Sequence, residues 1–138
     1  MVLQYHIDGG DFVNAGKASS AIKRVLKQLD VPAKRIKRVV IALYETEVNV
    51  VAHASQGVIE AVIEPERITI TVKDSGPGIS DIEKAMQEGY TTASKEVREM
   101  GFGAGMGLPN IKRNSDDLHI ESVPGEGTFI RITNDLRD

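Results

Sequence analysis

The sequence contains no cysteine, which excludes a disulfide framework, a thiolate metal site and a cysteine nucleophile. It also lacks a basic surplus. Seventeen Lys and Arg against twenty Asp and Glu leave a net charge of −3, the wrong sign for a protein whose main task is to grip nucleic acid. No apolar run approaches the roughly 20 residues needed to span a bilayer. The opening Met1-Val2-Leu3-Gln4-Tyr5-His6 has neither the basic nor the apolar region of a secretory signal, so the expectation is a cytoplasmic protein with no membrane partner. There is no internal repeat, linker or low-complexity tract. What is present suits one α+β domain over residues 1–138: 41% hydrophobic and 27% charged residues, enough to bury roughly 65–70% of the unfolded surface. Thirteen glycines are the unusual feature, and their positions matter more than their number.

Val2 to Ile7 alternates well enough for a short strand, ended by Gly9-Gly10. From Asp11 to Leu29, Ile22, Val25, Leu26 and Leu29 form a helical stripe. Pro32 suits the first turn of a second helix from about Ala33 to Ala54, with Ile36, Val39, Val40, Leu43 and Val51 on its buried face. Strands are expected at Val58–Ile63 and 68–73, then a loop at Asp74-Ser75-Gly76-Pro77-Gly78. Ser80 with Glu83 reads as a capping box opening a short helix through about Gln87. Residues 89 to 107 are weakly patterned, which in a compact domain marks a functional or mobile stretch. A helix from Leu108 to Asn114 and strands at Leu118–Val123 and Thr128–Thr133 complete the chain. This order predicts helices on one face of a mixed, mostly antiparallel sheet, an α+β two-layer sandwich.

Three constellations could carry chemistry. Glu45 and Asn49 stand four apart on the second helix, hence on one face about a turn apart. A carboxylate there can polarise a water or hydroxyl, and the carboxamide oxygen can reach a hard cation; a solvated helix edge would satisfy the same spacing. His53, further along, reads as a packing or hydrogen-bonding residue. Asp74 continues the inward face of Ile68, Ile70 and Val72, where a carboxylate needs donors; an amino group on a buried heterocycle is one. Gly76 and Gly78 let the backbone pass close to a flat ligand, although the same residues make a plain turn. Finally, Gly101, Gly103, Gly105 and Gly107 precede Leu108 and a helix, an arrangement that suits a phosphate or a flexible hinge. It is not a Walker loop, because no Gly-Lys-Ser/Thr follows. Nor is it the Rossmann fingerprint, because position 108 is leucine and no strand leads in. Thr128 shares the inward face of Ile130 and Ile132 and could meet the same ligand or be structural.

Together these residues resemble a known family. Glu45-x-x-x-Asn49 resembles the N box of the Bergerat-fold (GHKL) ATPase/kinase superfamily, which holds DNA gyrase, the Hsp90 chaperones, histidine kinases and MutL. Asp74-x-Gly76-x-Gly78-Ile79 resembles its G1 box, Gly103-x-Gly105-Met106-Gly107-Leu108 its G2 box, and Gly125-x-Gly127-Thr128 its last conserved strand. The match covers about residues 36–134 in the right order. The small size and the run from Asp81 to Thr92 look most like the anti-sigma factor and serine switch-kinase branch, whose members phosphorylate a Ser or Thr on small STAS-type partners. The resemblance implies a Bergerat-type sandwich binding ATP and Mg²⁺. Asp74 would accept from the adenine amino group, with Gly76, Gly78 and Ile79 lining the base. Asn49 would hold Mg²⁺, Glu45 would be the general base, and Gly103, Gly105, Gly107 and Leu108 would wrap the phosphates. Thr128 would complete the site, and residues 88–102 would be the lid.

The leading expectation is therefore an ATP-dependent protein serine/threonine kinase in a partner-switching circuit, its γ-phosphate passing to a STAS-like partner. The alternative is an ATP-gated binding module that sequesters a regulator, such as a sigma factor, without phosphate transfer. Homodimer formation stays open. A stand-alone histidine-kinase catalytic domain is disfavoured, since His6, His53 and His119 fall in two strands and the N-box helix rather than on a dimerising helical hairpin. Nucleic-acid binding through Lys23, Arg24, Lys27, Lys34, Arg35, Lys37 and Arg38 is the weakest reading; that cluster suits a solvated face or a docking surface for an acidic partner.

Overall fold

The computed structural model describes residues 1–78, 86 and 107–138. Strand β1 (Val2–Asp8) turns Leu3, Tyr5 and Ile7 inward, opposite Ala61, Ile59 and Gly57 of β2 (Gln56–Ile63). Strand β3 (Arg67–Ser75) pairs with β2 on one side and with β5 (Gly127–Asp135) on the other, and β4 (Asp117–Val123) closes the far edge. The strand order is β1-β2-β3-β5-β4, and all four pairings are antiparallel, so the mixed sheet expected from sequence contains no parallel pair among the described residues.

Among the described residues, three helices cover one face: α1 (Lys17–Gln28), α2 (Ala33–His53) and α3 (Gly107–Arg113). Ile22 and Leu26 of α1, Val39 and Leu43 of α2, and Ile111 of α3 join Ile59, Ile70, Ile130 and Ile132 of the sheet in one buried cluster. Each such side chain contributes about 1.5–3 kcal/mol by leaving water. The other sheet face carries the alternate residues, among them exposed Val58, Lys73 and Arg131.

Of the stripe expected between Asp11 and Leu29, Ile22, Val25 and Leu26 lie in α1, but the helix starts later than Asp11. A 3-10 turn at Phe12–Asn14 precedes α1, and the helix begins only at Lys17. Gly16, at φ 96°, makes the left-handed step between them, a conformation open to glycine and strained for other residues. The expected capping box at Ser80 and Glu83, its short helix, and the lid lie outside the described residues.

Candidate functional site

Helix α2 is 21 residues long and buries two polar side chains along its length, Thr46 and Glu47. Glu45 and Asn49, one turn apart, are half-buried on a neighbouring face. Gly107, the first residue of α3, lies against that face: a Cβ placed there would stand 3.7 Å from Glu45 Oε2 and 3.8 Å from Asn49 Oδ1. The fold thus brings the N-box pair and the last glycine of the glycine-rich stretch together. Leu108, by contrast, points into the core, which leaves only its backbone to line a site.

Asp74 ends the inward row of β3 and is half-buried. Its Oδ1 accepts the Thr128 backbone N–H at 3.0 Å, while the Thr128 hydroxyl lies 3.4 Å from Ser122 Oγ. Thr128 therefore meets Asp74 through its main chain rather than its side chain. Past Asp74, the chain is held between α2 and the β4–β5 turn. A Cβ on Gly76 would come within 3.0 Å of the Ala54 backbone, and one on Gly78, at φ 73°, within 2.6 Å of the Val123 carbonyl. Gly125 N–H donates to the Pro77 carbonyl at 2.7 Å. The protein's own packing demands glycine at 78 and leaves little room for a Cβ at 76, apart from any ligand. From Glu45 to Ala54 the helix axis advances about 13 Å, which separates a Glu45–Asn49–Gly107 end from an Asp74–Gly76 end. Ile79, Gly103 and Gly105 lie outside the described residues.

Burial pushes the Glu45 carboxyl above its ordinary value, against the pull of a hydrogen bond from Asn110. Burial likewise raises Asp74, opposed by the Thr128 N–H. His53 is pushed down by burial, which favours its neutral form, and it stands at the end of α2 rather than among the candidate residues. The chemistry on offer is two carboxyls that both hold a proton more readily than usual, Glu45 beside Asn49 and Gly107 and Asp74 nearer the end of α2. Of the basic cluster, Arg35 pairs with Asp138 at 2.6 Å, Lys34 with Asp138 at 3.4 Å and Arg38 with Asp116 at 2.5 Å. Lys23, Arg24, Lys27 and Lys37 are exposed and form no ion pair among the described residues. A separate open hollow of about 340 Å³, lined by Tyr5, Asp8, Asp11, Asn14 and Lys17 among others, holds none of the expected site residues.

Residues 11–134 match the family model of the histidine kinase-like ATPase domain. The chain belongs to that family. The ATPase domain is 37% identical over 125 residues to an anti-sigma F factor of Thermoanaerobacter sp. (strain X514), covering 87% of this chain and 84% of the relative. It is 34% identical over 119 residues to the serine/threonine-protein kinase RsbT of Bacillus subtilis (strain 168), covering 83% and 84%. These relatives set it in the anti-sigma factor and serine-kinase branch. In fold it is similar to the RsbU and RsbW domains of Rv1364c from Mycobacterium tuberculosis, with a TM-score of 0.58 at 18% identity, over 96% of this chain and 32% of that one. It is also similar to the mycobacterial sensor histidine kinase MprB, with a TM-score of 0.54 at 16% identity, over 98% and 99%.

Two residues of this ATPase domain escaped the reading of its sequence. Glu47 is fully buried and accepts from the Gly16, Ala18 and Ser19 backbone N–H groups at 2.8, 3.3 and 3.1 Å and from the Ser19 hydroxyl at 2.7 Å. The signal was available: position 47 falls four after Leu43 and three before Val50, on the core side of α2, where a carboxylate must find donors. The other is Asn110, whose amide donates to Glu45 Oε1 at 3.4 Å. Only the packing of α3 on α2 reveals it.

Proposed function

We propose that the chain is an ATP-dependent serine/threonine protein kinase of the partner-switching type, a single domain that passes the γ-phosphate of Mg·ATP to a hydroxyl of a STAS-like protein. The observation that carries this reading is the meeting of Glu45, Asn49 and Gly107 on the C-terminal half of α2, with Asp74 beyond them beside the end of the helix. Asp74 suits an adenine amino group, because Oδ2 accepts no hydrogen bond among the described residues while Thr128 holds Oδ1. Asn49 supplies one carboxamide oxygen for a cation. Among the described residues no cluster of three or more His, Cys, Asp or Glu could cage a metal, which fits Mg²⁺ held mainly by phosphate oxygens and water. When bound, Mg²⁺ neutralises phosphate charge as it is transferred. The backbone around Gly103, Gly105 and Gly107 would wrap the phosphates.

Glu45 is the base in this reading. Its carboxylate takes the proton of the partner's hydroxyl as that oxygen bonds to the γ-phosphorus and the bond to the leaving ADP oxygen breaks. Kinship to a protein named serine/threonine-protein kinase RsbT supports transfer. A second reading, ATP-gated sequestration of a regulator such as a sigma factor without transfer, is favoured by the relatives named anti-sigma F factor. Cytoplasmic location agrees with both; among the described residues no helix is long and apolar enough to cross a membrane. Incubation with radiolabelled ATP, Mg²⁺ and a STAS-domain partner decides between them. Label on a partner Ser or Thr is the expected result. Binding of nucleotide and partner with no label would favour sequestration.

A further inference from the structure

Among the described residues, Glu45 has one hydrogen-bond donor, the Asn110 side-chain amide at 3.4 Å from Oε1. Asn110 stands three residues after Gly107, so the two share the face of α3 turned toward α2. They treat the two carboxylate oxygens differently. Asn110 holds Oε1, while glycine at 107 leaves space beside Oε2, which accepts no hydrogen bond among the described residues. The amide is itself oriented from its other end, because Arg113 Nη1 donates to Asn110 Oδ1 at 3.4 Å. Its turn of helix is anchored as well: Asn114 Nδ2 donates to the Asn110 carbonyl at 2.9 Å, and the Asn114 carbonyl accepts from buried Asn134 of β5 at 2.9 Å.

We propose that Asn110 is a positioning residue for Glu45, pinning Oε1 so that Oε2 is the oxygen presented to the incoming hydroxyl. This rests on the reading of Glu45 as general base. A glutamate side chain has three rotatable bonds, and a base works only within hydrogen-bond reach of the proton it removes. Misplacement by about 1 Å can cost a hundredfold in rate. A 3.4 Å contact is long, as such bonds commonly are before the reacting complex tightens them. Alanine at 110 removes the amide and keeps the helix, since alanine is the best helix former.

The experiment is a double-mutant cycle on Asn110→Ala and Glu45→Ala, read in two ways. In urea melts, the stability effects of two residues in contact fail to add, and non-additivity is expected here. In single-turnover transfer to a STAS-domain protein, N110A should lower the maximal rate by about tenfold or more, with the ATP KM within about threefold. In the E45A background it should cost nothing further, because its role runs through Glu45. N110D, which replaces the donor by a like charge, should lose more than N110A. Additive stability effects would overturn the contact, and an equal rate loss in both backgrounds would reduce Asn110 to a structural residue. Coupled stabilities with no transfer by the wild-type protein would overturn the kinase reading itself, and Asn110's part in the reaction with it.

Discussion

Asp74 is a half-buried carboxylate with one donor among the described residues, the Thr128 N–H on Oδ1, and in the proposed function Oδ2 meets the adenine amino group. In Asp74→Asn the Oδ1 oxygen can still accept the Thr128 N–H, but an NH₂ group then stands where an acceptor is required. One lost charge-assisted bond is worth roughly 1.5–3 kcal/mol, so ATP affinity measured by calorimetry should fall about ten- to a hundredfold. Unchanged affinity would remove Asp74 from the pocket. The pH dependence follows from the direction of its shift. Burial raises its folded-state pKa above the unfolded value, so the ionised form is lost at a higher pH than for an ordinary aspartate. ATP binding should therefore weaken earlier on acidification than an unperturbed carboxylate would dictate. The stability effect has the opposite sense: Asp74's contribution is full below its unfolded pKa of about 3.9 and is lost as pH rises through the folded value. D74N should accordingly melt no lower than the wild type at pH 7, and its relative advantage should shrink toward pH 4.

Helix α1 is held to α2 by Glu47, which accepts the Ser19 hydroxyl and three backbone N–H groups that no intrahelical carbonyl reaches. Glu47→Gln keeps the shape but turns an NH₂ toward N–H donors, and should cost about 3 kcal/mol. Urea denaturation should show a lower midpoint with an unchanged slope; a wild-type midpoint would contradict the clamp. At the opposite end of the sheet, Asp116 links Arg38 of α2 to the Asp135 N–H of β5. Burial acts against its charge, but the Arg38 and Asp135 hydrogen bonds outweigh it and hold the carboxyl below the usual range. A lowered folded pKa contributes stability above the unfolded value, and this is lost as pH falls through the folded one. D116N should cost no more than about 1 kcal/mol at pH 7, since the pair is partly exposed, and the difference should vanish well below about pH 3.9. Elements with unbroken periodicity, α2 and β3 above all, were legible from sequence. The start of α1 was not, because the carboxylate that caps it lies 31 residues away, beyond any local pattern.

Across the whole molecule, the order of helices and strands followed from alternation and helical stripes, whereas the position of β5 between β3 and β4 depends on pairing between distant segments. Much of the candidate site was legible for a related reason. Glu45, Asn49, Asp74, Gly107 and Thr128 each end or punctuate a periodic element, and closing the sheet against α2 and α3 brings them into two groups joined along one helix. Thr128, read from sequence as either meeting the ligand through its hydroxyl or structural, donates its backbone N–H to Asp74 and sets its hydroxyl 3.4 Å from Ser122 Oγ, contacts that only the paired strands reveal. The segregation of charge is also clear only in three dimensions. Arg35 and Arg38 are neutralised by Asp138 and Asp116, while α1 carries Lys17, Lys23, Arg24 and Lys27 with no acidic residue in the helix. As proposed, this domain transfers phosphate with Glu45 as base. The most direct measurement is single-turnover transfer from Mg·ATP to a STAS-domain partner by the wild type and by Glu45→Gln, alongside a nucleotide titration of each. A loss of about 10²–10⁴ in rate with ATP affinity within severalfold is expected; transfer by E45Q at the wild-type rate would contradict it.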